Sequence, residues 1–267
     1  MKRFAILFFV ILYFINSYSI QDKSPIQTKV DIPETEDMWD VLLQFDVDTP
    51  TGQTGLAGVE WDGTYFYASK WNGSDQLFKF DVDGNYIEPI TAPLTGCRDM
   101  AFDGNYMYGS AASQEVFCWE SETGNAVTAN FINVAGQSVR ALAYDEVSDT
   151  FWSGNWGDNI VNWDRDGTIL NSYPWWGSLY GLAYDCDPIG PYLYAHSQDP
   201  GCNIYRLDPY NSLAQLDVFN ATIYGAAGAI AGGACVMTDW QLSYRSLGVL
   251  LQGTPDYIVL LEVGYSP

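Results

Sequence analysis

One histidine, His196, is all that this 267-residue chain contains. Catalytic or metal centres built from several imidazoles are therefore excluded, and a Ser-His-Asp triad would have to use His196 itself. Basic residues are scarce as well, 11 Lys and Arg against 33 Asp and Glu, for a formal charge of -22. So acidic a surface repels phosphate backbones and anionic bilayers, and nucleic acid is not an expected partner. G-x-S-x-G, a phosphate-binding glycine loop, C-x-x-C spacing and helical periodicity are all missing. Beyond the first 19 residues no apolar run approaches the roughly 20 residues of a bilayer span, so no membrane insertion is expected.

The one long apolar run is at the start. Lys2 and Arg3 precede Phe4 to Ile15, and Ser17-Tyr18-Ser19 follows with small residues at cleavage-site spacing. Residues 1–19 are expected to be a signal peptide, residues 20–37 a linker, and residues 38–267 one domain, secreted, extracellular or on the cell surface. Loss of Lys2 and Arg3 would take the formal charge to -24 and leave about 250 residues, enough for one sizeable core. The five cysteines, Cys97, Cys118, Cys186, Cys202 and Cys235, are odd in number. Export permits a disulfide, but their spacing leaves open whether one forms or whether they are small buried apolar residues.

What the chain does have is self-similarity. "GLAGVEWDGTYFYAS" aligns with "GCRDMAFDGNYMYGS", "SVRALAYDEVSDTFWSG" and "SLYGLAYDCDPIGPYLYAH". The anchor aspartates are Asp62, Asp103, Asp145 and Asp185, at spacings of 41, 42 and 40 residues. Each is followed by a second anchor, "LFKFDVDG", "VFCWESETG", "IVNWDRDG" or "IYRLDPYN". A fifth, degenerate copy fits "GGACVMTDW", "LGVLLQG" and "YIVLLEV", delayed by an Ala/Gly-rich insertion around residues 209–232. Short aromatic and β-branched runs with turn signals between them, four to a repeat, predict an all-β fold, a five-bladed β-propeller. The last copy ends after its third strand, at Val263, while "VLLQFDV" at residues 41–47 has no partner. Pairing of this N-terminal strand with the last blade would close the ring and leave no exposed edge.

Meander topology sorts the loops. With the inner strand ending at Asp62-Gly63, that turn and the "DVDG" turn lie on one face, the lower one, and both are hairpin signals. Trp71 then falls in a loop of the upper face, as do Asn155-Trp156 and His196-Ser197, and Trp175 and Trp176 enter the fourth blade from the same side. Five residues before each anchor aspartate stand Ala57, Arg98, Arg140 and Tyr180. Two of the few arginines thus share a position near the channel mouth. Loops on a rigid scaffold commonly carry binding residues. Trp71, Trp156, Trp175, Trp176 and Tyr180 are the candidates for stacking on a glycan or peptide ligand, Arg98 and Arg140 for gripping a carboxylate, and Asn155 and His196 for polar contact. The plainer alternative is that the tryptophans pack between blades and the arginines pair with local acids such as Asp99.

"DVDG" and "DRDG" resemble the start of a calcium loop, but their glycine is fourth rather than sixth and no glutamate follows at the twelfth position, so tight turns account for them. No cofactor is expected. Asn72-Gly73-Ser74 and Asn220-Ala221-Thr222 match the glycosylation sequon.

"WDGTYFYASKWNG", "RALAYDEVSDTFWSGNWGDNIVNWDRDG" and "YGLAYDCDPIGPYLYAHSQDPGCNIYRLD" resemble the propeller repeats of large secreted proteins of Bacteroidetes-like bacteria, often joined to a C-terminal secretion-sorting domain. The resemblance covers most of residues 55–208 and implies export and fold, but no active site. This chain departs from it in stopping at Pro267 without a sorting domain. Propeller lactonases, which hold a divalent metal over the channel with Glu, Asn and Asp, share at most Asn155 and nearby acids. Secreted glutaminyl cyclases are five-bladed and of similar length, yet their glutamate-bearing motif is not found near the first blade. The expected function is a binding or interaction module. A metal-dependent, lactonase-like hydrolase or lyase at the channel mouth and a structural spacer of a cell-surface protein are the alternatives.

Overall fold

The structure, a computed structural model, describes residues 38–198, 201–241 and 244–265. The expected signal peptide and linker lie outside these residues. The chain divides into Met1–Thr35 and Glu36–Pro267, and every described residue belongs to the second unit.

Among the described residues twenty strands form five four-stranded antiparallel sheets. β1 (Val41–Asp46) comes first, followed by a helical turn, α1 (Asp48–Thr51). Blade 1 is β2 (Leu56–Trp61), β3 (Phe66–Lys70), β4 (Gln76–Phe80) and β5 (Tyr86–Thr91). Blade 2 is β6 (Asp99–Phe102), β7 (Met107–Ser110), β8 (Glu115–Trp119) and the short β9 (Ile132–Asn133). Blade 3 is β10 (Ala141–Asp145), β11 (Thr150–Gly154), β12 (Ile160–Trp163) and β13 (Ile169–Tyr173). Blade 4 is β14 (Leu179–Asp185), β15 (Tyr192–Ser197), β16 (Asn203–Asp208) and β17 (Ala214–Asn220). Blade 5 is β18 (Ile230–Gln241), β19 (Tyr244–Gln252) and β20 (Tyr257–Tyr265), completed by β1. The fold is the expected five-bladed propeller, and the closure is the expected one: β1 pairs antiparallel with β20, from Val41 opposite Leu261 to Asp46 opposite Tyr257.

Burial follows position in the blade. The inner strands β2, β6, β10, β14 and β18 pack against one another around the channel. β2 is buried along its whole length, whereas the outer β13 and β17 are largely exposed. Strands covered on both faces read as continuous apolar runs, which is why "LAGVEW" does not alternate. Five apolar clusters occupy the five seams between neighbouring blades. In the seam between blades 5 and 1, Phe66, Phe78 and Phe80 meet Leu250, Ile258 and Leu260. Burial of one such side chain contributes about 1.5–3 kcal/mol, so the seams supply most of the stability.

The anchor aspartates lock turns. Asp62 Oδ1 accepts from the backbone N–H of Thr64 (3.0 Å) and Tyr65 (2.9 Å), and Asp103 Oδ1 does the same for Asn105 (2.9 Å) and Tyr106 (2.7 Å). Asp145 and Asp185 repeat the pattern with Val147 and Asp187. Such side-chain-to-backbone bonds fix a reversal that the backbone alone leaves loose. Asp81 and Asp164 close the "DVDG" and "DRDG" turns in the same manner.

Two expectations need adjusting. The segment around residues 209–232 contains blade 4's own outer strand, β17, and the start of β18; the inserted part shrinks to the turn Ala221–Tyr224 and the loop after it. All five cysteines are unpaired, four of them buried, so the small-apolar-residue alternative is the one realised.

Candidate functional site at the channel mouth

The strand order places the starts of β6, β10 and β14 and the loop after β3 on the upper face, around one cavity of about 580 Å³. Trp71, Arg98, Arg140, Trp156 and Tyr180 line it. Trp71 and Trp156 are 41% and 49% exposed, held in loops rather than packed between blades. Gly55 makes room for Trp71. Its φ is +76°, and a Cβ there would lie 3.1 Å from the indole Nε1.

The two arginines are held without acids. Arg98 lies over the Trp71 ring, 5.1 Å from guanidinium carbon to centroid, and its Nε is buried with no hydrogen-bond partner. Arg140, largely buried, lies over Trp156 (4.5 Å) and Tyr180 (5.2 Å), and its Nε donates to Asn155 Oδ1 (3.1 Å). Asn155 in turn donates to Asp158 Oδ2 (3.1 Å), which fixes the direction of its amide. Among the described residues neither guanidinium is within ion-pair distance of a carboxylate. Burial lowers the pKa of Arg98, and burial together with the neighbouring charge of Arg98 pushes Arg140 down to about 10. Both remain cations at neutral pH. Ring quadrupoles supply part of the lost solvation and cancel no charge.

The opposite wall comes from blade 5 and the loop before it, and the repeat pattern did not point there. Ala227, Gly228, Ile230, Gly253 and Asp256 line that side. Asp256 is the acid of the mouth, yet its carboxylate is committed to backbone: Oδ2 accepts from Leu56 N–H (2.8 Å) and Oδ1 from Gly253 N–H (2.6 Å). The degenerate fifth repeat hides these positions. The turn residues of "QGTPD" were the one available signal.

Four sequence-selected residues lie outside the cavity lining: Asn155, which reaches the site through its bond to Arg140, and Trp175, Trp176 and His196. Trp175 is buried in the seam between blades 3 and 4, stacked on Trp176 (5.4 Å between centroids), and both meet Tyr205 edge-on. Trp176 is 64% exposed but outside the cavity lining. His196 is completely buried on β15, with Nδ1 3.0 Å from the Gly232 carbonyl oxygen, and burial depresses its pKa to about 4. A neutral imidazole pinned between blades 4 and 5 is structural.

Asp99, an arginine partner on the plainer alternative, turns the other way. Its Oδ2 accepts from the N–H groups of Leu142 (3.0 Å) and Leu182 (3.1 Å), so one carboxyl of blade 2 ties together the inner strands of blades 3 and 4. Burial raises its pKa well above the carboxylate range. Gly233 faces it so closely that a Cβ there would collide with Asp99 Oδ1.

On the lower face the channel ends in a chamber of about 120 Å³ lined by Glu60, Tyr144, Glu146 and Cys186 among others. Glu60 is buried, which raises its pKa well above normal, and its Oε1 accepts from Trp61 N–H (2.9 Å). Nearby, Arg245 is ion-paired with Asp185 and lies 3.6 Å from Asp187, while Arg165 bonds Asp103 and Asp149, each at 2.8 Å.

No protein-family model and no curated protein matches the chain. Its fold is similar to the crystal structure of Myxococcus xanthus glutaminyl cyclase, with a TM-score of 0.64 and 15% identity over 86% of this chain and 100% of that one. At that identity the likeness is one of propeller scaffold alone.

Proposed function

We propose that this chain is an exported binding module, extracellular or on the cell surface, whose ligand, a glycan or a peptide, sits in the upper mouth of the channel. The observation that carries this reading is the pair Arg98 and Arg140. In a chain with a formal charge of -22, two adjacent guanidiniums sit over aromatic rings in an open cavity with no acid to neutralise them among the described residues. Cations kept for structure are normally given a partner, because a desolvated, unpaired charge costs stability. The exposure of Trp71 and Trp156 counts against the spacer alternative, which needs the upper aromatics packed away. Export rests on the N-terminal residues and on the resemblance to secreted Bacteroidetes-like propeller repeats.

A glutaminyl cyclase-like enzyme is the second reading, raised by a likeness of scaffold alone. Against it stands the lining of the mouth, which holds no glutamate among the described residues. The lactonase-like reading has a poor donor set, since the mouth presents cations, Asp256 is committed to backbone N–H groups, and Asn155 holds Arg140. The test is tryptophan fluorescence titrated with oligosaccharides, peptides and divalent metals, beside an Arg98→Ala, Arg140→Ala variant. A saturable shift with a glycan or peptide that the variant loses is the expected result. A response to metal alone moves the assignment to the enzyme, and silence throughout favours the spacer.

A further inference from the structure

Each ring at the mouth already carries a guanidinium, while Trp71 and Trp156 keep 41% and 49% exposure. The face of Trp71 is covered by Arg98, and Arg140 lies over both Trp156 and Tyr180. A ligand therefore meets guanidinium edges together with the ring surface left open, and the covered ring faces act as supports that hold each fork in place. An acid in that supporting role would have cancelled the charge. Aromatic support commits little of either fork among the described residues: the Nε of Arg98 is buried with no partner, and Arg140 spends its Nε on a neutral amide. Guanidinium forks with free N–H groups match the two oxygens of a carboxylate.

The rest of the molecule limits how much charge the ligand can carry. A formal charge of -22 surrounds this small cationic spot, so a polyanion that must also lie across the surface is repelled, whereas a single carboxylate reaches the mouth at little cost. Across the cavity from the arginines, Ala227, Gly228, Ile230 and Gly253 offer small and apolar surface beside Gln252, Thr254 and Asp256, whose carboxylate is held by backbone N–H groups. About 580 Å³ is room for a ligand of drug or short-peptide size. Resting on the binding-module reading, we infer that the upper mouth recognises one carboxylate borne on an apolar or ring-shaped body: the free C-terminus of a peptide or a small monocarboxylic acid.

The test has a stage that needs no known ligand. Quenching of tryptophan by iodide is compared with quenching by caesium. On an acidic protein caesium should win everywhere except beside Arg98 and Arg140, so the iodide-accessible fraction is expected to fall by about twofold or more in an Arg98→Gln, Arg140→Gln variant of unchanged circular dichroism and urea midpoint. In the second stage N-acetyl-phenylalanine, the tripeptide N-acetyl-Gly-Gly-Phe, their C-terminal amides and oligogalacturonate compete with iodide. Either free acid should protect at concentrations about tenfold or more below its amide, because the amide has lost the charge. Stronger protection by the tripeptide than by the amino acid assigns a peptide terminus; equal protection assigns a small acid. An Arg98→Lys, Arg140→Lys variant should keep the iodide preference and lose most of the preference for acid over amide. Amides that protect as well as acids, oligogalacturonate that protects best, or no protection by any probe would each overturn the single-carboxylate assignment while leaving an anion site. An iodide-accessible fraction that is the same in the wild-type chain and the glutamine variant would overturn the anion site, and the binding-module reading would then stand or fall on the glycan and peptide titration.

Discussion

The two ends of the channel use the same residue in opposite ways. On the lower side Arg165 and Arg245 are each held by two aspartates, and all four, Asp103, Asp149, Asp185 and Asp187, belong to the turns that end the inner strands. On the upper side Arg98 and Arg140 have aromatic rings and an asparagine in place of acids. In a chain with three times as many acids as bases, an arginine without an acid is the exception that needs a reason. Charge compensation therefore separates the arginines that hold the propeller together from those available to a ligand. The acids follow the same division: Glu60 and Glu146 line the narrow lower chamber, while the acid of the upper mouth, Asp256, is capped by two backbone N–H groups.

This contrast is open to direct attack, and the largest effect should come from the lower side. Arg245→Ala strands a buried Asp185 carboxylate, and a loss of about 3–5 kcal/mol in urea unfolding is expected. A loss below about 1 kcal/mol would mean that the lower pairs are not structural. Next comes Asp99→Ala, which leaves the N–H groups of Leu142 and Leu182 buried without an acceptor and should cost about 2–5 kcal/mol, with blades 3 and 4 losing amide-exchange protection first. Arg140→Gln is expected to change stability by no more than about 0.5 kcal/mol, or to raise it, since the change removes repulsion from Arg98 and a desolvated charge while abolishing the upper site. A large destabilisation by Arg140→Gln would erase the distinction between the two mouths.

The smallest effect concerns pH. Burial raises Asp48, which accepts from Asp256 N–H beside the upper mouth, to a pKa of about 7. The folded state then keeps a proton that the unfolded state has already released, so stability should fall as pH rises from 6.5 to 8, through that folded value. His196, with its depressed value, is neutral in the folded protein across that window and makes its own contribution below it, as pH falls from about 6.5 towards 4. Asp48→Asn should flatten the decline of the urea midpoint between pH 6.5 and 8. An unchanged slope would mean that Asp48 is ionised in the folded protein.

Much of the architecture could be read from spacing. The aspartates at Asp62, Asp103, Asp145 and Asp185 recur because each closes a turn through its own neighbours' N–H groups, a local event that a repeat preserves. The unpartnered "VLLQFDV" determined the closure, since an open edge beside a three-stranded last blade has one remedy. The same alternation of faces put Trp71, Arg98, Arg140, Trp156 and Tyr180 on the upper side, and these five do line one cavity. Spacing could not tell Trp156, 49% exposed, from Trp175, sealed in a seam, because both stand two residues past the end of a strand, β11 and β13 respectively.

By itself, then, the sequence determined the repeat, the number of blades, the way the ring closes and which loops share a face, all consequences of short-range turn chemistry and the antiparallel meander of short strands. Only the tertiary structure decided which charges are neutralised. Arg165 meets Asp103 from 62 residues away and Arg245 meets Asp185 from 60, while Asp99 turns from its neighbour Arg98 to Leu142 and Leu182 in other blades. Electrostatic partnership depends on distance through space, which a linear pattern does not carry, and the unneutralised pair at the upper mouth exists because no described neighbour in the fold brings it an acid.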